Sequence, residues 1–130
     1  MIMGVGIDLL DIQRMENILR RNSQLFLQKL LSHEEYMYAE SIVSKHKFVQ
    51  WIAGRYAAKE AVLKACGTGF DGRVMLYQIQ ISTHPSLQPS VILPSTVSEW
   101  FGHSVKCALS ISYTRKTAMG IAYLEQETSR

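Results

Sequence analysis

The chain has 130 residues, 47% of them hydrophobic, which excludes a disordered chain and leads us to expect a single domain over residues 1–130. A formal net charge of +3 and a pI near 9.0 fit an anionic partner or substrate, but no Lys/Arg run marks a nucleic-acid-binding tail. No stretch has the roughly 20 apolar residues that a membrane span needs, and the N-terminus lacks the basic start of a signal peptide, so we expect a cytoplasmic protein.

The chain is predicted to begin with a strand followed by helices. Residues 2–9 (IMGVGIDL) form a short apolar run rich in β-branched side chains, which is typical of a buried strand. Apolar residues at helical spacing predict a helix over residues 11–21, and a short packed helix is predicted at residues 25–31. The polar face of the first helix includes Arg14, Arg20 and Arg21.

Two further helices are predicted in the middle of the chain. Ser32 and Glu35 have the spacing of a capping box, and a helix through residues 36–43 follows. An Ala-rich helix is predicted over residues 48–66, with Gly67 as its left-handed C-cap. Its small apolar face consists of Ala58, Ala61, Val62 and Ala65. Its other side carries Tyr56, Lys59, Glu60 and Lys64.

The second half of the chain is predicted to be mainly strands. Alternating apolar residues predict strands at 77–81, with Tyr77 on the apolar face, and at 105–113; a shorter strand is predicted at 90–93. A short helix at residues 94–102 precedes a hairpin whose second strand covers residues 118–125. Because the helices and the strands occupy separate parts of the chain, we expect an α+β domain in which an antiparallel sheet packs on helices, one of them long.

Five charged residues form the pattern that points to chemistry. Glu60 and Lys64 are neighbours on one helix, which by spacing alone is more typical of an ordinary salt bridge on a solvated face than of a catalytic site. Asp8 ends an apolar strand, where a carboxylate is either exposed or held by a partner. Taken together, Asp8 and Glu60 could share a hard divalent cation such as Mg²⁺, while Arg55, Lys59 and Lys64 face a phosphate-bearing substrate.

Three motifs carry a resemblance to a known family. They are GVGIDLLDIQRM at residues 4–15, RYAAKEAVLKACGTGF at residues 55–70, and LSIS at residues 109–112 before a final strand. In this order and spacing the chain resembles, over its whole length, the holo-[acyl carrier protein] synthase family, the small-subunit type of 4′-phosphopantetheinyl transferase. The family transfers 4′-phosphopantetheine from coenzyme A to a serine of apo-acyl carrier protein in fatty acid biosynthesis, requires Mg²⁺, and forms homotrimers with active sites between subunits.

The resemblance implies a role for each motif residue. Asp8 and Glu60 would hold the metal ion, and Glu60, directly or through a water, would be the base for the acceptor serine. Lys64 would neutralise the diphosphate and could protonate the leaving group. Arg55 and Lys59 would lie near the phosphates or stabilise the site. Backbone close to coenzyme A would come from Gly67, Thr68 and Gly69. The carrier protein would contact Arg14 and Arg21, with Arg20 adjacent.

One position departs from the family's pattern. The family usually has a histidine after LSIS that approaches the coenzyme A phosphates, and this chain has Tyr113 there. A phenol can still donate a hydrogen bond, and Arg115 or Lys116 could supply the charge. Trp51, an aromatic residue on the long helix, is assigned to core or subunit-interface packing rather than to adenine stacking.

Two other functions compete with the enzyme. A relative that has lost turnover at the altered segment would only bind coenzyme A or carrier protein, although a binder has no need to keep both carboxylates. A small basic nucleic-acid-binding domain would expose aromatic side chains beside Lys or Arg on a sheet face, whereas the predicted strands carry mostly Ser and Ala there. We therefore expect no nucleic acid and no membrane among the partners.

Overall fold

The computed structural model describes residues 1–67, 72–84 and 88–127. Its first half contains one strand and three helices: β1 (Ile2–Asp11), α1 (Ile12–Leu30), α2 (His33–Glu40) and α3 (Lys45–Cys66). A short 3₁₀ helix (Leu76–Gln78) then precedes β2 (Gln80–Ile81), β3 (Val91–Ile92), α4 (Ser95–Phe101), β4 (Val105–Tyr113) and β5 (Thr117–Gln126). In these residues no helix is long and apolar enough to cross a membrane.

The main sheet is antiparallel and has the strand order β1-β5-β4, so the first and the last strand of the chain are neighbours. β4 and β5 form the predicted hairpin, and β1 pairs with β5 along its length, with Asp8 opposite Gly120. β2 and β3 form a separate two-stranded pair. The predicted α+β class with an antiparallel sheet is therefore confirmed.

α3 is the central element, because two apolar clusters meet on it. One cluster lies between α3, the main sheet, β2 and α4, and its α3 members include Ala58, Ala61, Val62 and Ala65. The other lies between α3, α1 and α2, and its members include Met15, Leu30 and Ile52. The predicted small apolar face of α3 is buried as expected. α3 begins three residues before the predicted start, because Ser44 accepts a hydrogen bond from Lys47 N and caps it.

The two helices predicted at residues 11–21 and 25–31 form one element with a break. Asn22 has non-helical dihedral angles (φ −159°, ψ 75°), and its side-chain oxygen accepts a hydrogen bond from Leu25 N. The helix therefore restarts just after Asn22, which matches the gap between the two predictions. The capping box of Ser32 and Glu35 is present, but α2 ends at Glu40 rather than at residue 43.

The strand predicted at residues 77–81 is wrong over its first half. The Gln78 side chain accepts a hydrogen bond from Met75 N, and the local backbone bonds close a 3₁₀ turn, so these groups do not join a strand ladder. Ile79 and Ile81 are buried as predicted, whereas Tyr77 is exposed.

Candidate active site

Glycines bring β1 unusually close to α3. A Cβ atom on Gly6 would lie 1.9 Å from the carbonyl oxygen of Ala61, and one on Gly4 would lie 1.9 Å from that of Ala65. Since both contacts are with backbone atoms, only glycine permits this approach. The residue two positions after Gly6 is Asp8, which is thereby carried to the polar side of α3.

Asp8 and Lys64 meet where the two elements are in contact. Lys64 Nζ donates to Asp8 Oδ1 and to the carbonyl oxygen of Ile7, each at 3.0 Å. The Asp8 side chain is 18% exposed and that of Lys64 is 55% exposed, so the pair lies at the protein surface and is accessible to a ligand. Lys64 thus pairs across the fold with Asp8, whereas its spacing in the sequence predicted a helical pair with Glu60.

Glu60 completes this group of three, which the sequence predicted to come together. Partial burial, followed by the nearby charge of Asp8, raises the pKa of the Glu60 carboxyl, while the Tyr56 hydroxyl and the Lys64 ammonium lower it. Two carboxylates beside one ammonium form a local excess of negative charge. Such a pair can hold a cation and a phosphate-bearing ligand at the same time.

Lys59 does not lie where its position in the motif suggested. Its side chain is fully buried, and Nζ donates to Glu35 Oε1 at 2.5 Å and to the Leu30 carbonyl oxygen at 2.7 Å. The prediction that Lys59 lies on the polar side of α3 is therefore wrong, and its ammonium cannot reach a phosphate outside. The reason is that the arc of α3 facing α1 and β2 includes residues 52, 55, 59 and 62, all of which are buried.

A second polar region lies one to two turns before Glu60 on α3. It is formed by Arg55 of α3 and by Tyr113 at the end of β4. Arg55 is 7% exposed; Nη2 donates to the Ser82 carbonyl oxygen at 3.2 Å, and Nη1 is buried without a hydrogen-bond partner among the described residues. Burial lowers the pKa of Arg55, and the charges of Glu35, Tyr113 and Tyr38 oppose this. An unpartnered buried guanidinium nitrogen is costly, which is typical of a site that awaits an anionic ligand.

Tyr113 packs against α3 through Gly54. Its hydroxyl oxygen occupies the space of a Cβ atom on Gly54, 2.0 Å from the ideal position. Burial raises the pKa of Tyr113 and the Arg55 charge lowers it, so the phenol stays protonated and can donate a hydrogen bond.

A pocket of about 250 Å³ opens beside Tyr113; Arg55 does not line it but contacts one of its lining residues, Trp51. The pocket is lined by Tyr38, Ile42, Lys47, Gln50, Trp51 and Tyr113. The Trp51 ring lies 4.5 Å from Arg55 Cζ, a cation–π contact. The sequence interpretation missed Lys47 and assigned Trp51 to packing, because only the fold shows that the start of α3 faces the end of β4.

The remaining predicted residues lie at two other places. Gly67 ends α3 with φ 93° and ψ 174°, which requires glycine as predicted but is not the expected left-handed helical cap; Thr68 and Gly69 lie outside the described residues. Arg14 and Arg21 are exposed on α1, and the Arg14 charge acts on the Tyr56 hydroxyl, one helical turn before Glu60. Arg20 is paired with Glu16 of the same helix at 2.7 Å.

Arg21 borders a groove of about 320 Å³ at the break in α1. The groove is lined by Ile18, Arg21, Asn22, Leu25, Phe26 and Lys29. Two cations therefore flank an apolar floor, an arrangement that suits an acidic partner with exposed apolar side chains.

The donor set fits a hard cation with few protein ligands. Within residues 1–67, 72–84 and 88–127, no group of three or more His, Cys, Asp or Glu side chains could hold a metal ion. Two carboxylates, Asp8 and Glu60, are close enough for their charges to interact. One or two carboxylates with phosphate oxygens and waters is the set that Mg²⁺ prefers, so these residues fit Mg²⁺ together with a phosphate-bearing substrate.

Comparison with known proteins identifies the family. Residues 4–122 match the model of the 4′-phosphopantetheinyl transferase superfamily. The holo-[acyl-carrier-protein] synthase of Clostridium acetobutylicum is 40% identical over 128 residues, which are 96% of this chain and 98% of that protein.

Solved structures give the same result. The crystal structure of a holo-(acyl-carrier-protein) synthase from Bacillus anthracis in complex with CoA (3′,5′-ADP) has a TM-score of 0.81 and 29% identity, covering 98% of this chain and 99% of that one. The Helicobacter pylori holo-[acyl-carrier-protein] synthase in complex with coenzyme A has a TM-score of 0.78 and 27% identity, covering 93% and 99%.

Proposed function

The chain belongs to the 4′-phosphopantetheinyl transferase superfamily, and on that basis we propose that it transfers 4′-phosphopantetheine from coenzyme A to a serine of apo-acyl carrier protein. The products are holo-acyl carrier protein and adenosine 3′,5′-bisphosphate, and the reaction serves fatty acid biosynthesis in the cytoplasm. The single observation that carries the proposal is the meeting of Asp8, Glu60 and Lys64 from two elements far apart in the chain.

The reacting groups are assigned to these three residues. The acceptor serine oxygen forms a bond to the phosphorus that carries the pantetheine, and the diphosphate P–O bond breaks. The serine proton passes to Glu60, directly or through a water, and Lys64 offsets or protonates the departing bisphosphate. Asp8 and Glu60 would hold Mg²⁺, which when bound neutralises the charge of the diphosphate oxygens.

The pocket beside Tyr113 is assigned to the anionic nucleotide end of coenzyme A. Its support is the buried Arg55 nitrogen without a described partner, the Tyr113 hydroxyl and the nearby Lys47. Tyr113 takes the place of the family's histidine as a hydrogen-bond donor. Gly67, Thr68 and Gly69 are assigned to backbone that passes close to coenzyme A. Lys59 was expected either to lie near the phosphates or to stabilise the site. Because it is buried, it is assigned the second role.

The groove on α1 is assigned to the carrier protein. Arg14 and Arg21 offer exposed positive charge to an acidic partner, and Leu25 and Phe26 offer apolar surface. Arg20, although paired with Glu16, adds to the same positive field.

We propose that the chain forms a homotrimer with active sites between subunits, and that the subunits contact one another through the outer face of the main sheet. This face exposes Val5, Ile7, Leu9, Ile121 and Tyr123. A contiguous, mostly aliphatic surface of this kind is typical of an interface.

Mass spectrometry of apo-acyl carrier protein tests the reaction. After incubation with this protein, coenzyme A and Mg²⁺, the carrier should gain about 340 Da, the mass of the phosphopantetheine group. Glu60→Gln should abolish the gain while keeping the wild-type circular dichroism spectrum, because the substitution removes charge without changing shape. Absence of any gain with the wild-type chain, together with saturable coenzyme A binding, would favour the alternative of a catalytically impaired binder.

A further inference from the structure

Lys59 and Glu35 form a fully buried ion pair that the reaction itself does not use. Neither side chain has any solvent exposure, and the charged atoms are 2.5 Å apart. Taking two charges out of water costs about as much free energy as their attraction returns. A gain in folding stability therefore does not account for the presence of such a pair. Its function must be sought in what it holds in place.

The pair connects four segments of the fold. Glu35, at the start of α2, accepts hydrogen bonds from Ser32 N at 2.8 Å and from Ile81 N of β2 at 3.2 Å. Lys59 of α3 donates to the carbonyl oxygen of Leu30, the last residue of α1. One carboxylate and one ammonium therefore fix α1, α2, α3 and β2 relative to one another.

A second bond from α3 reaches the same part of β2. Arg55, one turn before Lys59, donates to the carbonyl oxygen of Ser82, the residue after Ile81. Two successive turns of α3 are thus held at the dipeptide Ile81–Ser82. Arg55 bonds to Ser82 directly, and Lys59 is connected to Ile81 through Glu35. The charges of Glu35 and Arg55 also act on each other.

The opposite side of α3 is held to the sheet by close backbone packing and by one lysine. The alanines at 58, 61 and 65 face Gly4, Gly6 and Gly120, and Lys64 donates to Asp8 Oδ1 and to the carbonyl oxygen of Ile7. The buried pair holds the same helix from its other side. The alignment of α3 therefore depends on contacts on both sides, of which the pair supplies the second set.

We propose that Lys59 and Glu35 are positioning residues that fix the rotation and axial register of α3, so that Glu60, adjacent to Lys59, faces Asp8. The proposal rests on the proposed transfer reaction. Rotation of α3 by one residue position would turn Glu60 away from Asp8 by about 100°. The pair would therefore act on turnover through the placement of Glu60 and not through contact with substrate.

The test compares single and double variants of the pair. Lys59→Met leaves a buried unpaired carboxylate and should lower the melting temperature by about 10 °C or more. Lys59→Met combined with Glu35→Gln removes both charges, keeps an acceptor for a backbone N–H, and should restore most of that loss. If the pair sets the register, the double variant still loses at least tenfold in kcat, while the KM for coenzyme A changes less than threefold.

Two further variants keep the test decisive. Glu34→Gln removes the charge of the exposed neighbour of Glu35, which accepts a hydrogen bond from the Gln80 amide at 2.8 Å, and should keep wild-type kcat. Glu35→Asp keeps the charge but shortens the side chain. It should lower kcat by a larger factor than its change in the free energy of unfolding would explain. This variant decides the question if the double variant fails to fold. Wild-type kcat in the folded double variant or in Glu35→Asp, or a change confined to KM, would overturn the inference alone. A wild-type chain without transfer would overturn the proposed function instead, and with it this inference.

Discussion

Lys64 and Asp8 are joined by a hydrogen bond of 3.0 Å, although 56 residues separate them in the chain. The bond crosses the contact between α3 and β1, and Lys64 also holds the carbonyl oxygen of Ile7. Half of the Lys64 side chain is exposed, and ion pairs with that exposure contribute about 0–1 kcal/mol to stability. The value of the pair therefore lies in placing a cation beside two carboxylates.

The first prediction concerns Lys64→Met. We expect kcat to fall by about 100-fold, because a cation facing the diphosphate is lost, while the free energy of unfolding changes by less than about 1 kcal/mol. Steady-state transfer assays and urea unfolding measure the two quantities. Lys45→Met, which removes an exposed cation from the start of the same helix, is the matched control. Equal losses of kcat in both variants would contradict the role of Lys64.

The second prediction concerns the glycine that lets β1 approach α3. Gly6→Ala places a methyl group against the Ala61 carbonyl oxygen, so β1 must move away and carry Asp8 with it. We expect a loss of about 1–3 kcal/mol in stability and a disproportionate loss of kcat, measured at a temperature where the variant is fully folded. Gly102→Ala, which costs about 1–2 kcal/mol through its φ of 77° but meets no atom, should leave kcat unchanged.

Local patterns predicted most elements because local bonds decide them. The alternation in β4, the Ser32 capping box and the break between residues 21 and 25 each depend on neighbouring residues, and each is present. Residues 75–78 also contain local side-chain bonds, but those favour a 3₁₀ turn over the strand that alternation predicted. The alternation of apolar and polar residues does not show whether local side-chain hydrogen bonds compete with strand formation.

The candidate site was predictable where a motif residue points outward, and not where it points inward. Helical projection predicts Lys59 on the same side of α3 as Glu60 and Lys64, although it also shares an arc with the apolar Ile52 and Val62. That spacing was the available signal that Lys59 is buried. Its partner Glu35 could not be predicted, since a capping glutamate usually remains exposed and only tertiary packing covers it.

The third prediction separates carrier recognition from chemistry. Reversing charge with Arg14→Glu and Arg21→Glu should raise the KM for acyl carrier protein by at least tenfold and leave the KM for coenzyme A within twofold. The wild-type KM for carrier should also rise with ionic strength, because exposed charges are screened by salt. Arg73→Glu changes charge outside α1, where the guanidinium lies over Trp100, and is the control. A parallel rise in the KM for coenzyme A would contradict a separate docking surface.

The fourth prediction concerns the outer face of the sheet, where apolar side chains from neighbouring strands lie in register. Ile7 of β1 is paired with Ile121 of β5, and both side chains are largely exposed in the single chain. A charge placed there would be buried without a partner in any assembly that covers this face. We therefore expect Ile7→Asp to convert a trimer of the wild-type chain to monomers, measured by size-exclusion chromatography with light scattering.

The same variant also tests whether the active site needs two subunits. Because Asp8 follows Ile7 directly but points to the opposite side of β1, the substitution leaves the carboxylates of one chain in place. Loss of transfer together with loss of the trimer, in a variant that keeps its fold, would support a site shared between chains. Val43→Asp, at an apolar residue that is 99% exposed outside the sheet, should keep both the trimer and turnover. A monomeric wild-type chain, or a monomeric Ile7→Asp variant with full turnover, would contradict the shared site.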